Sequence, residues 1–241
     1  MAVRKVLTSA QDRSITLSDR HGMSLTAEES QSVSTNDINH MFLVRHGESE
    51  HHTNGMAGGW TDTPLTESGR QQISATAVHL RTLELRSVAL YCSDLQRAIE
   101  SAIIIGSELG CTPEPIPEFR ELNNGDAAGL TLSEAAKIQI PEPISGNREA
   151  MLNWRPYNNA ETWREMAQRV ASALEKIKSN DAQATIIVGH ALSGQALIQN
   201  WLKLPLHLAV SFQFDPASVT ELRVNQWGER EIVRLNTSYH A

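Results

Sequence analysis

The chain has 241 residues, a net charge of −7, 40% hydrophobic residues and two cysteines. That length suits one large or two small domains with a sizeable core. The acidic balance supplies no basic stripe for nucleic acid or an anionic membrane, and no apolar run reaches the length of a transmembrane helix. Cys92 and Cys111 alone do not make a disulfide scaffold and fit reduced thiols in a cytoplasmic setting.

Residues 1–40 are rich in Ser, Thr, Asp and Gln. Acidic Asp12, Asp19, Glu28 and Glu29 argue against a transit peptide, and no hydrophobic signal region is present. The segment reads as a polar extension, partly disordered, with short strand candidates at 3–8 and 14–17. The catalytic-type patterning begins at 41 and continues to 241, with no Pro/Gly linker dividing the part that carries the motifs.

The apolar run Met41-Phe42-Leu43-Val44 predicts a strand that ends in Arg45-His46-Gly47. A strand running into a glycine turn delivers its last side chains to the carboxyl edge of the sheet, where open α/β folds bind ligands. The histidine there can be a base, a metal ligand or a nucleophile. Arg20-His21-Gly22 repeats the letters upstream without the pattern that follows and is read as coincidence.

Next, Gly58-Gly59-Trp60-Thr61-Asp62-Thr63-Pro64-Leu65 is a turn-rich loop into a helix over 67–85, with Thr66 as its N-cap. Val88–Cys92 is a second strand, and a helix over 94–109 carries Arg97 just beyond its end. A helix is expected over 132–139. Residues 141–159, with three prolines, Gly146 and Asn153, read as a loop or broken helix that covers a site mouth. In it Arg148, Trp154, Arg155 and Tyr157 are substrate-contact candidates, though packing for Trp154 and solvent for Arg148 are equally natural.

A helix over 162–178 is capped by Thr162. Ala184–Gly189 is then a third strand ending at His190, with a helix over 193–201 behind it. Strands over 218–226 and 230–235, joined by Trp227-Gly228-Glu229, predict a terminal hairpin. The alternation of strands and helices is that of a doubly wound α/β sheet, and three strand ends bring Arg45, His46, Arg97 and His190 to one edge.

With these four separated motifs in order from about 41 to 235, the chain resembles the histidine phosphatase superfamily, also called the phosphoglycerate-mutase-like or RHG family. The resemblance implies a three-layer α/β/α sandwich around a mostly parallel sheet. It also implies that His46 is the phosphorylated nucleophile, that Arg45, Arg97 and His190 hold the phosphate, and that Glu121 in Phe119-Arg120-Glu121-Leu122 is the general acid. Ala191, at the helix start behind His190, joins the substrate-binding set.

Elementary chemistry agrees with these roles. A phosphoryl group in transfer spreads negative charge over its oxygens, so catalysis rests on positioning and preorganised donors. Arginine's planar fork meets phosphate oxygens bidentately. The two-step cycle needs neither metal nor cofactor. A metal site built from His46, His51, His52 and His190 is disfavoured because the arginines beside it repel a cation.

Two departures stand out. Many family members have Asn where this chain has His52, so the phosphate contact falls to His52 or shifts to Asn54. After the acid segment, Asn123-Asn124-Gly125-Asp126-Ala127-Ala128 replaces the aromatic-acidic pair common in phosphatases, which points to a leaving-group side shaped for an unusual substrate. Mutases of the family generally carry a longer insertion between the acid segment and the second histidine, so the short stretch from Glu121 to His190 resembles the phosphatase branch, which implies a phosphomonoesterase, with a small sugar phosphate or phosphorylated carboxylic acid as the expected substrate. A phosphoglycerate-type mutase is the second expectation and a catalytically weak phosphate-binding or interaction module the third. The expected partner is a small phosphate ester, with a homodimer through a sheet edge left open.

Overall fold

The computed structural model describes residues 38–144, 146–177 and 182–240. The strand candidates at 3–8 and 14–17, the upstream Arg20-His21-Gly22 triplet and Lys178 lie outside the described residues.

In chain order the elements are β1 (His40–Arg45), α1 (Glu50–Thr53), α2 (Glu67–Thr82), β2 (Val88–Cys92), α3 (Gln96–Leu109), β3 (Glu114–Pro115), α4 (Leu132–Ile138), α5 (Arg148–Asn153), α6 (Trp163–Ile177), β4 (Ala184–Gly189), α7 (Ala191–Trp201), β5 (Val219–Val224) and β6 (Arg230–Thr237). Short 3-10 turns occupy Pro117–Phe119 and Gly125–Ala127. The strands form one sheet in the order β3-β2-β4-β1-β5-β6. The first four are mutually parallel, and β5 and β6 add an antiparallel hairpin.

Alternation along β1 makes the sheet the middle of three layers. Met41 and Leu43 pack with Met166 and Val170 of α6 and Leu197 and Ile198 of α7. Phe42 and Val44 pack on the other side with Ile73 and Leu80 of α2 and Ala98 and Ile105 of α3. Strand β4, between β2 and β1, is buried at every residue, which is why its sequence is a continuous apolar run rather than an alternation. The edges are blunted: β3 is two residues long and includes Pro115, and β6 carries Arg230, Glu231 and Arg234. No helix among the described residues is long and apolar enough to cross a membrane.

Local chemistry explains most element starts. Thr66 caps α2, its hydroxyl accepting the N–H of Gly69 at 2.9 Å. Thr162 and Glu165 form a reciprocal pair at the head of α6. Gly110, at φ 71°, closes α3 in the left-handed region.

Other boundaries differ from the sequence-based expectation. Helix α2 stops at Thr82, not 85, and Glu84 has φ 50°. Helix α3 starts two residues later than expected, because Asp94 is engaged with Arg120 and Leu95 is extended. Helix α7 starts at Ala191 rather than 193, which makes His190 its N-cap residue. Within 141–159 the broken helix is real: α5 is six residues long and capped by Asn147 onto the N–H of Ala150.

Candidate active site

Register places the chemistry. Arg45, the last residue of β1, lies opposite Gly189 of β4, and Cys92 of β2 lies opposite Val188. His46, Ser93 and His190 therefore leave the sheet at one edge, tied by His46 N–H to Gly189 O and Ser93 N–H to Val188 O, both at 3.0 Å. The glycine after His46 is dictated by packing. A Cβ on Gly47 would fall 2.4 Å from Gly69 O, and one on Gly69 would fall 1.9 Å from Glu48 O. The backbone leaving β1 runs directly against the first turn of α2, and side chains at these two positions have no room.

His46 is buried and its tautomer follows from its neighbours. Nδ1 lies 2.7 Å from Gly47 O, which only accepts, so Nδ1 carries the hydrogen. Nε2 is then the lone-pair nitrogen, and it receives Nε–H of Arg97 at 3.2 Å. Burial, followed by the neighbouring His190, Arg97 and Arg45, holds the ring's pKa well below its ordinary 6.5. The imidazole is neutral at physiological pH, with its lone pair in the site.

Arg97 has 1% of its surface exposed. Its Nη1 donates to Thr61 O at 2.9 Å and its Nη2 to Gly59 O at 2.7 Å, so the Gly59-Trp60-Thr61 loop aims this side chain with backbone carbonyls. Burial lowers the guanidinium pKa to about 10, with Glu121 and Asp62 pulling the other way, and it remains a cation. Arg45 donates to Phe214 O at 2.6 Å and to His52 Nε2 at 3.0 Å, and its Nε is buried without a partner.

His190 lies with its ring centroid 5.1 Å from that of His46, and both its nitrogens are buried and unpartnered. Burial, then Arg97 and Arg45, pushes its pKa well below 6.5. Buried polar atoms are ordinarily satisfied. Orphaned donors on Arg45 and His190, beside a ring whose lone-pair nitrogen is held by Arg97, make a socket for an anion with several oxygens.

Glu121 sits across the socket. Its Oε1 accepts the N–H groups of Leu122 and Ser193, both at 2.9 Å, and its Oε2 accepts that of Leu192 at 3.0 Å. It therefore acts as a remote cap for α7, whose N-terminal dipole favours a carboxylate there. The N–H of Ala191 is not taken by Glu121. The segment is held from behind by Arg169 of α6, which donates to the carbonyls of Glu118, Arg120 and Glu121 and pairs with Glu161. Trp60 Nε1–H adds a 2.7 Å bond to Glu121 O.

The cleft between these groups has a volume of about 260 Å³, and Arg45, His46, His51, Arg97 and Glu121 line its charged and imidazole end. The ring of His52 stacks on that of His46, with centroids 5.6 Å apart and planes 13° apart. His51 is anchored by Ser49 and Thr63. Burial, Arg97, His52 and Arg45 lower its pKa to about 3.

The structure brings together Arg45, His46, His52, Arg97, Glu121 and His190, with Ala191 at the helix start. Asn54 it places elsewhere: its side chain is exposed and its Oδ1 accepts the N–H of Met56 at 3.1 Å. Of the four candidates in 141–159, Tyr157 lines the cleft, whereas Arg155 pairs with Glu165 and Arg148 reaches Leu206 O. Trp154 is half-buried, its Nε1 buried without a partner. Sequence reasoning missed Arg169, which looks like any polar residue of an amphipathic helix, and gave no role to Trp60 or Asn124 although both lie in segments it singled out.

The model of the family described as histidine phosphatase superfamily (branch 1) matches residues 41–238. A metal-independent phosphoserine phosphatase of Arabidopsis thaliana is 33% identical over 157 residues, 64% of this chain and 65% of the plant protein, so the match spans just under two thirds of that relative. A putative phosphoserine phosphatase of Hydrogenobacter thermophilus is 27% identical over 83% of this chain and 96% of its own length. A probable phosphoglycerate mutase from an Enterobacter species is 27% identical over 76% of this chain and 83% of its own. Among solved structures, a mycobacterial glucosyl-3-phosphoglycerate phosphatase in complex with VO3 superposes with a TM-score of 0.69 and 25% identity, covering 83% of this chain and all of the other.

Proposed function

The chain belongs to branch 1 of the histidine phosphatase superfamily, and from that premise we propose that it is a phosphomonoesterase acting on a small phosphorylated metabolite, a sugar phosphate or a phosphorylated carboxylic acid. The observation that carries this reading is the neutral His46 ring, fixed by Gly47 O so that its lone pair lies on Nε2, where Arg97 Nε–H meets it beside unsatisfied donors on Arg45 and His190.

In the first step Nε2 of His46 attacks phosphorus and the bond to the leaving-group oxygen breaks. Arg45, Arg97 and His190 stabilise charge on the phosphoryl oxygens, which is the larger part of catalysis in such transfers. The departing alkoxide takes a proton from Glu121. Its Oε2 accepts a single N–H and has a position left to hold that proton, whereas Oε1 accepts two. In the second step the Glu121 carboxylate removes a proton from water, whose oxygen attacks the phosphohistidine and releases inorganic phosphate. Relatives named as phosphoserine phosphatases support hydrolysis, and those named as probable phosphoglycerate mutases keep phosphoryl transfer between hydroxyls as a second reading.

Phosphate release from a panel of monoesters, with and without added metal, tests the proposal. Stoichiometric release, with an acid-labile phosphohistidine that vanishes in His46→Ala, is the expected result. Isomerised ester without released phosphate identifies a mutase, and anion binding without a covalent intermediate identifies a binding module.

A further inference from the structure

Besides the groups the proposed mechanism uses, the lining of the cleft includes a residue with one buried donor without a partner. Asn124 is 8% exposed and lines the cavity. Its amide orientation follows from a neighbour: the backbone N–H of Trp60 donates to Oδ1 at 2.9 Å, so the other end is the NH2 group. That Nδ2 is buried with no hydrogen-bond partner. The side chain is also held in place. Gly59, at φ +62°, passes so close beneath it that a Cβ there would lie 2.6 Å from the amide carbon and Oδ1 of Asn124. The following turn is tied to the 158–161 segment by Asp126 N–H to Asn158 O at 3.0 Å. A fixed, buried donor left unsatisfied beside a cavity is a group waiting for an acceptor.

Among the other lining residues, Leu122, Pro156 and Leu192 supply apolar surface, and Tyr157 a ring. The cations lining the cavity are Arg45 and Arg97, both of which the proposed mechanism commits to the phosphoryl group. A second phosphate or a carboxylate on the substrate would be desolvated there without a cation to pair with it. At about 260 Å³ the cavity falls near the small end of the range of roughly 300–1,000 Å³ usual for small-molecule pockets.

We propose that the leaving-group subsite selects monoesters of short, uncharged alcohols that carry a hydrogen-bond acceptor such as a hydroxyl or carbonyl oxygen, and that Nδ2 of Asn124 reads that acceptor. This rests on the phosphatase reading and narrows its substrate class to polyol-like or sugar-like phosphates, against phosphorylated carboxylic acids.

Three esters separate the terms. Glycerol 3-phosphate and 3-phosphoglycerate share a skeleton and differ by a hydroxymethyl group in place of a carboxylate, and ethyl phosphate lacks the acceptor altogether. The expected kcat/KM for glycerol 3-phosphate exceeds that for 3-phosphoglycerate by at least about tenfold, the size of effect one unpaired buried charge or lost hydrogen bond produces. Asn124→Asp keeps the acceptor for Trp60 N–H while replacing the donor, and Asn124→Ala removes both. In each variant the ratio of kcat/KM for glycerol 3-phosphate to that for ethyl phosphate is expected to fall about tenfold. Thermal melting checks that each variant is folded, and Asn124→Asp remains informative if Asn124→Ala does not fold. Preference for the carboxylate ester, or an unchanged ratio in a folded variant, overturns the proposal alone. Absence of phosphate release from all three esters and from p-nitrophenyl phosphate overturns the phosphatase reading and this proposal with it.

Discussion

Nη2 of Arg45 donates to Nε2 of His52 at 3.0 Å, while Nδ1 of the same ring receives the backbone N–H of Ser49 at 3.2 Å. A neutral imidazole has one N–H, so one of these contacts sets a hydrogen against a donor. The conflict is relieved when an anion takes Arg45 and leaves Nε2 of His52 free to carry a proton towards it. In this position, where many family members carry an asparagine, the histidine is expected to couple anion binding to protonation, because the anion offsets the Arg45 charge that helps lower its pKa.

Burial, then Arg45 and Arg97, brings the pKa of His52 from 6.5 to about 4, against an opposing pull from Glu48. His51 and His46 are the other titratable rings packed against it. Saturating inorganic phosphate is expected to raise the His52 midpoint towards 6.5, so that binding takes up protons in the window between about 4 and 6.5. Side-chain nitrogen NMR titrations with and without phosphate measure it. A midpoint that stays near 4 contradicts the coupling.

Glu121 joins two jobs that a substitution can separate. Glu121→Gln retains an acceptor for the first turn of α7 and is expected to cost about 1 kcal/mol of stability, as a weakened cap does. Loss of the proton donor is expected to lower kcat about 10²–10⁴-fold on alkyl esters. On p-nitrophenyl phosphate, whose phenolate leaves without a proton, the drop in the phosphorylation rate should be far smaller. Single-turnover rates on the two ester types decide it, since equal losses on both would remove the general-acid role.

Arg169 is a positioning residue, holding three carbonyls of the Glu118 to Glu121 segment while pairing with Glu161. The pair's side chains are 17% and 13% exposed, so removing the cation strands a largely buried carboxylate. Arg169→Gln is expected to cost about 2–4 kcal/mol in urea unfolding. The double variant Arg169→Gln with Glu161→Gln should recover part of that cost, and strict additivity would show the two groups to be independent.

Stability is expected to fall in acid. The folded-state pKa values of His46, His190, His51 and His52 all lie below the 6.5 of an ordinary histidine, with burial as the first cause. The unfolded chain therefore binds protons at these sites as pH drops through 6.5, before the folded protein does. Their contribution is fully present above 6.5 and is lost towards about 4, where His52 begins to titrate in the fold. Melting temperatures between pH 8 and pH 5 report this, and His52→Asn should flatten the slope.

Sequence alone determined the features that depend on neighbours along the chain. The alternation in Met41-Phe42-Leu43-Val44, the all-apolar β4 and the hydroxyl of Thr66 before an acidic first turn each act within a few residues. Periodicity and capping chemistry therefore located β1, β2, β4, β5 and β6, the helices α2, α3, α4, α6 and α7, and the strand-end residues Arg45, His46 and His190, whereas the two-residue β3 and the four-residue α1 are too short to leave a period. Tertiary structure alone decided which groups meet across long separations. The cap that Glu121 places on α7 spans 71 and 72 residues, and the Asn124 contact with Trp60 spans 64. It also turned Asn54 away from the cleft and sent Arg148 and Arg155 to other partners. A side chain's partner at such a distance is set by how layers pack and by which polar atoms that packing buries, and no local pattern encodes either.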